Sequence, residues 1–248
     1  MNKTTNDGVK YIHEERVHNS DAPNEIVPVL IDIFHPRNVL DIGCGIGTFL
    51  ARFKSAGVDV FGIDGPWVNK EMLYRNINQN EFKEQDLSKP FNLNTKFDLV
   101  LSLEVAEHIE PAYADTFVKN LVSAGNVIIF SAAVPDQGGQ NHVNEQWLSY
   151  WKEKFMQHDY IVHDVLKPYF WNNPHVFFWY KQNMVVVAHK NHVFENTMHE
   201  NPLEDVVHKE MFAFRIKQLN QELEMIRSGR LPFTTYVKYL LTSIFLKR

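Results

Sequence analysis

The order of apolar runs and amphipathic segments along the chain predicts strands that alternate with helices. The apolar stretch 39–42 precedes three closely spaced glycines and a helical pattern, and further apolar runs follow at 58–63, 97–103 and 126–131. The run F-D-L-V-L-S-L at 97–103 is nearly continuous, which is typical of a parallel strand buried on both faces. This alternation indicates an α/β domain in which helices cover both faces of a mostly parallel sheet.

The later part of the chain predicts the closing edge of that sheet. Residues 81–85 have the pattern of a short third strand, and 160–166 and 176–190 that of two later strands with an aromatic loop between them. Because no helix is predicted between these last two strands, we expect them to pair antiparallel. The helix before them is predicted to bury aromatic residues at four-residue spacing: Trp147, Trp151 and Phe155.

Both ends of the chain differ from this central domain, which we place at residues 21–192. The polar segment 1–20 is expected to be partly disordered, and a helix over 22–34 follows it. Residues 203–248 form a C-terminal extension, with a predicted long helix over 204–227 and an apolar, basic tail over 233–248. The helix is a candidate for packing on the domain or for pairing with a second copy of the chain.

Composition narrows the function classes. The net charge of −5 and the isoelectric point near 6.2 lack the basic character of a nucleic-acid-binding domain, so no nucleic-acid partner is expected. The one cysteine, Cys44, has no second cysteine to pair with, and the polar start of the chain has no signal-peptide pattern. Both observations favour a cytoplasmic location.

The stretch V-L-D-I-G-C-G-I-G-T at 39–48 carries the main chemical signal. Glycines at alternate positions allow a sharp turn and close approach of a ligand to the backbone. Asp64 ends the next apolar run, where nucleotide-binding folds place a carboxylate for the ribose hydroxyls. Asp41 just before the turn would repel a pyrophosphate, whereas S-adenosylmethionine brings an ammonium and a sulfonium. The pattern therefore favours S-adenosylmethionine over a dinucleotide.

The segments D-I-G-C-G-I-G-T and I-D-G resemble the first two motifs of class I S-adenosylmethionine-dependent methyltransferases. This resemblance implies a Rossmann-like, seven-stranded, mostly parallel sheet with an antiparallel last strand, plus the C-terminal helical extension. It also implies that Asp86 and Leu87 face the adenine, and the indole of Trp67 is a candidate to stack beside that ring. The expected cofactor-binding residues are Asp41, Gly43, Cys44, Gly45, Asp64, Gly65, Trp67, Asp86, Leu87, Leu103, Glu104 and His108.

Candidate catalytic residues follow the fourth and fifth strands, at the edge of the sheet where open α/β folds bind ligands. Glu107 and His108 lie in E-V-A-E-H after the fourth strand, and His142 lies in an amide-rich loop after the fifth. A histidine suits the removal of a hydroxyl proton near neutral pH. We expect His142 to be the base and Glu107 and His108 to be orienting or alternative groups. In-line methyl transfer needs no metal, and none is expected.

The loop S-A-A-V-P-D-Q-G-G-Q-N-H-V-N-E-Q-W at 131–147 gives a more specific resemblance, to a bacterial subgroup associated with sugar and surface-polysaccharide modification. It implies O-methylation of a sugar, nucleotide-sugar or glycan hydroxyl. The expected substrate-binding residues are Gln137, Asn141, His142 and Gln146. Two alternatives stay open at this point: a small phenolic or amine acceptor, and a non-catalytic scaffold in glycan assembly.

The tail 233–248 is apolar and basic and contains no acidic residue, so it is a candidate for binding to an anionic membrane surface, such as the inner face of the cytoplasmic membrane, or for docking on the domain or on a partner. If the tail binds a membrane surface, deletion of 233–248 is expected to abolish co-sedimentation of the protein with anionic vesicles. Neutral vesicles serve as the control, because they lack the charge that would attract the basic residues. An intact chain that stays in the supernatant with both vesicle types would contradict this prediction.

Overall fold

The computed structural model describes residues 19–194, 206–230 and 232–238. The chain divides into two compact units, Met1–Val206 and Val207–Arg248. The predicted N-terminal disorder concerns mainly residues 1–18, which lie outside the described residues, as do residues 239–248 of the predicted tail.

The first unit contains a seven-stranded sheet. Its strands are Asn38–Ile42 (β1), Asp59–Asp64 (β2), Phe82–Glu84 (β3), Leu99–Leu103 (β4), Val127–Ser131 (β5), Tyr160–His163 (β6) and Val185–His189 (β7). They are arranged in the order β3-β2-β1-β4-β5-β7-β6. β7 pairs antiparallel with β5 and β6, and all other pairs are parallel. The predicted mixed sheet with an antiparallel last strand is confirmed.

Helices cover both faces of this sheet. They are Asp21–Phe34 (α1), Thr48–Ser55 (α2), Lys70–Asn76 (α3), Ala114–Ala124 (α4), Leu148–Met156 (α5), Lys167–Phe170 (α6) and Phe178–Asn183 (α7). Alternate residues of β1 face opposite cores: Val39 joins the core under α1, α2, α3 and α6, and Leu40 joins the core under α4 and α5. The central strands are therefore apolar on both faces because each face must exclude water.

The predicted strand over 176–190 is wrong in its first half. Only Val185–His189 is a strand, while Phe178–Asn183 is a helix, and α6 also lies between the last two strands. Aromatic residues favour strands, but K-Q-N at 181–183 would place polar side chains on both buried faces of a central strand. In the helix these three side chains are buried, and the amide of Asn183 donates hydrogen bonds to Glu104 and Gln137. The predicted antiparallel pairing of the two strands is nevertheless confirmed.

Two smaller differences concern the ends of helices. Trp147 precedes the first residue of α5 and is 38% exposed, so only Trp151 and Phe155 belong to the core as predicted. The C-terminal helix Lys209–Arg227 (α8) starts later than predicted, because residues 206–208 are not helical. It ends as expected before Gly229, whose φ of +69° stops the helix.

In the second unit, the described residues include α8 and a helical stretch at 233–238. Several large apolar side chains of α8 are exposed, among them Phe212, Phe214, Leu219 and Leu223. Within the ranges that the structure describes, no helix is both long and apolar enough to cross a membrane.

The hydroxyl of the buried Tyr160 anchors the edge strand β6. It lies 2.7 Å from the carbonyl oxygen of Gly125 and 2.9 Å from that of Val122. Tyr160→Phe keeps the ring but leaves these carbonyls without the donor, so it is expected to lower the free energy of unfolding by about 1–2 kcal/mol in chemical denaturation. The matched control Tyr169→Phe removes the hydroxyl of an exposed ring and should change the stability little. Equal effects of the two substitutions would contradict the anchoring role.

Candidate active site

The turn between β1 and α2 requires glycine for two separate reasons. Gly43, Gly45 and Gly47 all have positive φ angles, of +88°, +53° and +77°. In addition, a Cβ atom on Gly43 would lie 2.4 Å from a methyl group of Val105. The glycine turn therefore packs directly against the E-V-A-E-H segment that follows β4, and this contact joins the two predicted halves of the site.

Asp64, at the end of β2, faces the glycine turn. Its Oδ2 accepts a 2.7 Å hydrogen bond from the backbone N–H of Gly45, and its Oδ1 accepts one of 2.6 Å from Gly65 N–H. The side chain of Trp67 also hydrogen-bonds this carboxylate. Burial raises the pKa of Asp64 to about 6 although these donors act in the opposite direction.

Asp41 is a second buried carboxyl group beside the first. Burial and then the charge of Asp64 raise the pKa of Asp41 to about 8. Burial also raises the pKa of the Cys44 thiol, so Cys44 is not a ready nucleophile. Two carboxyl groups held together away from water disfavour each other's ionisation, and a cationic group placed between them would favour the ionised form of both.

The predicted adenine residues follow β3. Oδ1 of Asp86 accepts hydrogen bonds from the backbone N–H and the hydroxyl of Ser88, at 2.9 Å and 2.6 Å. These bonds fix a tight turn after the strand. The side chain of Leu87 is buried in the core, and the turn follows the strand that pairs with β2.

Glu104, directly after Leu103 at the end of β4, adopts a strained backbone. Its φ is +55°, which is uncommon for a residue other than glycine. Its N–H donates to the carbonyl and hydroxyl oxygens of Ser131. Its carboxylate accepts from Gln137 Nε2 at 2.7 Å and from Asn183 Nδ2 at 3.1 Å. Burial raises the pKa of Glu104, and the amide donors from Asn183 and Gln137 oppose the shift.

The amides predicted to bind a substrate occupy different environments. Gln137 is buried and bonded to Glu104 and Asn183, whereas Asn141 is exposed and has a left-handed φ of +58°. Nε2 of Gln146 donates to Oδ1 of Asn144 at 3.0 Å. Part of the amide content of the loop thus has a structural explanation, because it satisfies the buried Glu104.

The structure brings together the three predicted catalytic residues. The carboxyl group of Glu107 is fully buried and receives no hydrogen bond from a described side chain, although the backbone N–H groups of Glu107 and Ala133 lie close to it. Nε2 of His142 lies 3.9 Å from Oε1 of Glu107, and the rings of His108 and His142 are 4.9 Å apart and nearly perpendicular. Burial raises the pKa of Glu107 well above its usual range.

Neighbouring groups hold the two imidazole rings. Nδ1 of His142 lies 2.7 Å from Oε1 of Glu145, which also accepts from Gly138 N–H. A Cβ atom on Gly139 would lie 2.1 Å from Nε2 of His142, so only glycine leaves room for the ring there. Burial and the neighbouring His142 lower the pKa of His108 to about 4, so His108 is neutral at neutral pH.

Sequence reasoning missed three residues of this region. Glu145 orients His142, Asn183 holds Glu104, and Val105 packs on Gly43. A weak signal existed for Glu145, which lies three residues after His142 in a loop already selected for its chemistry. Asn183 could not be found in this way because it belonged to a segment predicted as a strand.

These observations define a Rossmann-like α/β fold. At the carboxyl edge of its sheet, a glycine turn lies beside two buried carboxyl groups, those of Asp41 and Asp64. Residues 11–173 match the family model described as a methyltransferase domain, and the chain belongs to this family. Members of the family use S-adenosylmethionine, so the predicted enzyme class and methyl donor are confirmed at the level of the family.

Particular relatives are similar over part of their length. A protein of Alkalilimnicola ehrlichii named ubiquinone biosynthesis O-methyltransferase is 32% identical over 108 residues, which are 38% of this chain and 41% of the relative. A protein of the same name from Bartonella tribocorum is 30% identical over 86 residues, 33% of this chain and 35% of the relative. The matches thus span less than half of these curated relatives. The predicted sugar-associated subgroup is not among these names.

A solved structure supports the fold. The magnesium protoporphyrin IX methyltransferase of Synechocystis, crystallised with SAH, superposes with a TM-score of 0.51 at 17% identity. The superposition covers 70% of this chain and 84% of that one. At this identity the likeness concerns the Rossmann-like architecture alone, and it confirms the predicted fold class.

The buried Asp41 generates a prediction about pH. In the ligand-free protein its carboxyl group ionises near pH 8, whereas an unfolded carboxyl group ionises near 3.8, so this residue makes the folded state less stable as the pH rises between these values. Asp41→Asn has no carboxyl group to ionise, so it avoids this decrease in the stability of the folded state. The substitution is expected to raise the melting temperature at about pH 8. The same substitution should weaken S-adenosylmethionine binding about tenfold or more, because the cationic ligand loses a carboxylate.

The control is Asp59→Asn, which changes an exposed acid at the start of β2. Melting curves at about pH 5 and pH 8, together with calorimetric titration with the cofactor, provide the measurement. An Asp41→Asn protein that is less stable than wild type at the higher pH and binds the cofactor normally would contradict the electrostatic argument.

Proposed function

We propose that this protein transfers the methyl group of S-adenosylmethionine to a hydroxyl oxygen of a small-molecule acceptor. The observation that carries the proposal is the contact between Gly43 and Val105. It sets the acidic glycine turn, suited to a cationic donor, beside the segment that bears Glu107 and His108. A methyl donor and an acceptor need this adjacency, because the transfer requires both reactants in line and at short distance.

The cofactor is proposed to lie along the carboxyl edge of β1, β2 and β3. The carboxylate of Asp64 offers about four acceptor positions, and three donors use part of them, so capacity remains for a ribose hydroxyl. Asp41 would attract the ammonium and sulfonium groups. Asp86 and Leu87 would bound the adenine, and the ring of Trp67, which covers Gly65, would form one wall of that pocket.

The chemical step is proposed to use His142 as the base. The acceptor oxygen forms a bond to the methyl carbon while the bond from sulfur to this carbon breaks, and S-adenosylhomocysteine leaves. The hydroxyl proton passes to Nε2 of His142, and Glu145 at Nδ1 stabilises the resulting imidazolium. His108 is neutral and edge-on to this ring, so it is suited to orient the acceptor through a hydrogen bond.

A small phenolic or related metabolite is the favoured acceptor class. The named relatives act in ubiquinone biosynthesis, and the buried Gln137 is already bonded to Glu104 instead of facing a polyhydroxylated ligand. A sugar or nucleotide-sugar hydroxyl is the second candidate, because Asn141 beside His142 is exposed and could bind one. The presence of both buried acids, Asp41 and Asp64, opposes a purely scaffolding role.

Association with other molecules is a separate part of the proposal. The exposed apolar side chains of α8 suit self-association, and Phe233, at the start of the tail, is 80% exposed. Contact of the tail with a membrane, pairing through 204–227 and a cytoplasmic location remain predictions.

Transfer of label from methyl-labelled S-adenosylmethionine to panels of phenols, amines, nucleotide sugars and oligosaccharides tests the function. His142→Ala is expected to lower kcat by about 100-fold or more while calorimetry still detects cofactor binding. His175→Ala, which removes an exposed histidine, is the matched control and should keep full turnover. Absence of any heat of cofactor binding would refute the proposal, and full turnover in both His142→Ala and His108→Ala would refute the histidine base.

A further inference from the structure

Among the described residues, Glu107 has a buried carboxyl group whose charge no nearby side chain compensates. Its side chain is fully buried, and no described side chain hydrogen-bonds its carboxyl oxygens, which have only the backbone N–H groups of Glu107 and Ala133 close by. Its backbone carbonyl, by contrast, accepts two bonds, from the N–H groups of Val143 and Asn144 at 2.9 Å and 3.0 Å. The residue is thus held firmly, while burial disfavours the ionised form of its carboxyl group unless a cation compensates the charge.

The ring nitrogen that faces the carboxyl group of Glu107, Nε2 of His142, does not hydrogen-bond it. Glu145 lies 2.7 Å from Nδ1 of His142, so Nδ1 carries the proton of the neutral ring and Nε2 carries a lone pair. Nε2 lies 3.9 Å from Oε1 of Glu107, which is too far for a hydrogen bond. Oε1 of Glu107 and Nε2 of His142 can each donate a lone pair to a cation, and they face each other across a gap.

His108 supplies a third atom to the same gap. One ligand atom from each of Glu107, His108 and His142 lies within 4.8 Å of the others. The rings of the two histidines are nearly perpendicular at 4.9 Å, so they approach the gap from different directions instead of stacking. The gap is thus surrounded by one carboxyl group and two imidazoles, and not by a cluster of acidic residues alone.

We propose that Glu107, His108 and His142 form a binding site for a divalent transition-metal ion. Two imidazoles and one carboxylate are a ligand set for Zn²⁺, Mn²⁺, Fe²⁺ or Co²⁺, whereas Mg²⁺ and Ca²⁺ prefer oxygen ligands. Three protein ligands leave open positions, which is typical of catalytic and not of structural metal sites. The proposal departs from the expectation, based on the sequence, that no metal takes part.

The distances require the ligand atoms to move closer together on binding. Ligand atoms bound at about 2.0–2.2 Å around one ion lie about 3.0–3.5 Å from each other. The 3.9 Å between Glu107 and His142 must therefore shorten by about 0.4–0.9 Å, and any pair at the 4.8 Å limit by about 1.3–1.8 Å. The backbone bonds that link Glu107 to the loop keep both segments in place, so rotation of the side chains would make this change.

Groups outside the three ligands hold the two imidazole rings in place. Glu145 accepts from His142 and from Gly138 N–H, and His108 hydrogen-bonds the backbone of Asn141. Such contacts select the tautomer and direction of a ligating ring. Gly139 leaves the space that the His142 ring occupies, so this loop is shaped around that imidazole.

The place of the ion in catalysis rests on the proposed function. An acceptor hydroxyl that takes an open position would become more acidic and release its proton to water before methyl transfer. His142 would then act as a ligand instead of as the base. An acceptor with two neighbouring oxygens would fit two open positions, which favours adjacent hydroxyl groups on the acceptor.

The test is calorimetric titration of the chelator-treated full chain with Zn²⁺ and with Co²⁺, whose visible absorption reports the coordination. Wild type is expected to bind one equivalent. Glu107→Gln, similar in shape but uncharged, should lose about 100-fold in affinity or more, and Glu145→Gln about 10- to 100-fold. His175→Ala is the control for binding at exposed histidines and should match wild type.

Calorimetry with S-adenosylmethionine on the same proteins separates the possible failures. Glu107→Gln should still bind the cofactor, which demonstrates that it is folded. Cofactor binding by wild type without specific metal binding, or equal metal affinity of wild type and Glu107→Gln, would overturn the metal site alone. Metal binding without any cofactor binding would instead overturn the proposed function.

Discussion

The burial of negative charge at the carboxyl edge of the sheet is the constraint on which the rest of the site depends. Asp41 and Asp64 lie beside each other next to a turn with glycine at alternate positions, and burial raises both pKa values. Such an arrangement reduces the stability of the folded chain unless a ligand compensates for it. The glycine turn provides the space for that ligand, because its backbone conformations and its contact with Val105 both exclude a larger residue.

A second buried acidic region lies on the Val105 side of the contact between Gly43 and Val105. Its two glutamates, Glu104 and Glu107, have different hydrogen-bond partners. Glu104 accepts bonds from Gln137 and Asn183, so the protein itself satisfies its carboxylate. Glu107, three residues later, receives no hydrogen bond from a described side chain and faces two imidazoles. The contrast separates a structural carboxylate, which fixes the strained end of β4, from a buried carboxyl group that is suited to bind a cation, as we propose.

The polar loop after β5 has both structural and chemical tasks. Gln137 reaches back to the end of β4, while Glu145 and Gly139 set the direction and the space of His142. Its amide content indicated a carbohydrate ligand, but an amide that satisfies a buried acid is not available to a sugar. Composition alone could not distinguish these uses, because the partner of Gln137 is 33 residues away in the chain.

The sequence by itself determined the features that depend on local patterns. Apolar runs at 39–42 and 97–103 marked the central strands, and the glycines with Asp41 and Asp64 indicated the cofactor class, because strand burial and turn geometry act over a few residues. Only the tertiary structure decided that 178–183 is a helix, that Asn183 satisfies Glu104, and that Glu107, His108 and His142 converge. These outcomes depend on which distant segments meet in a buried place, where each polar group must find a partner, and no local pattern records that choice.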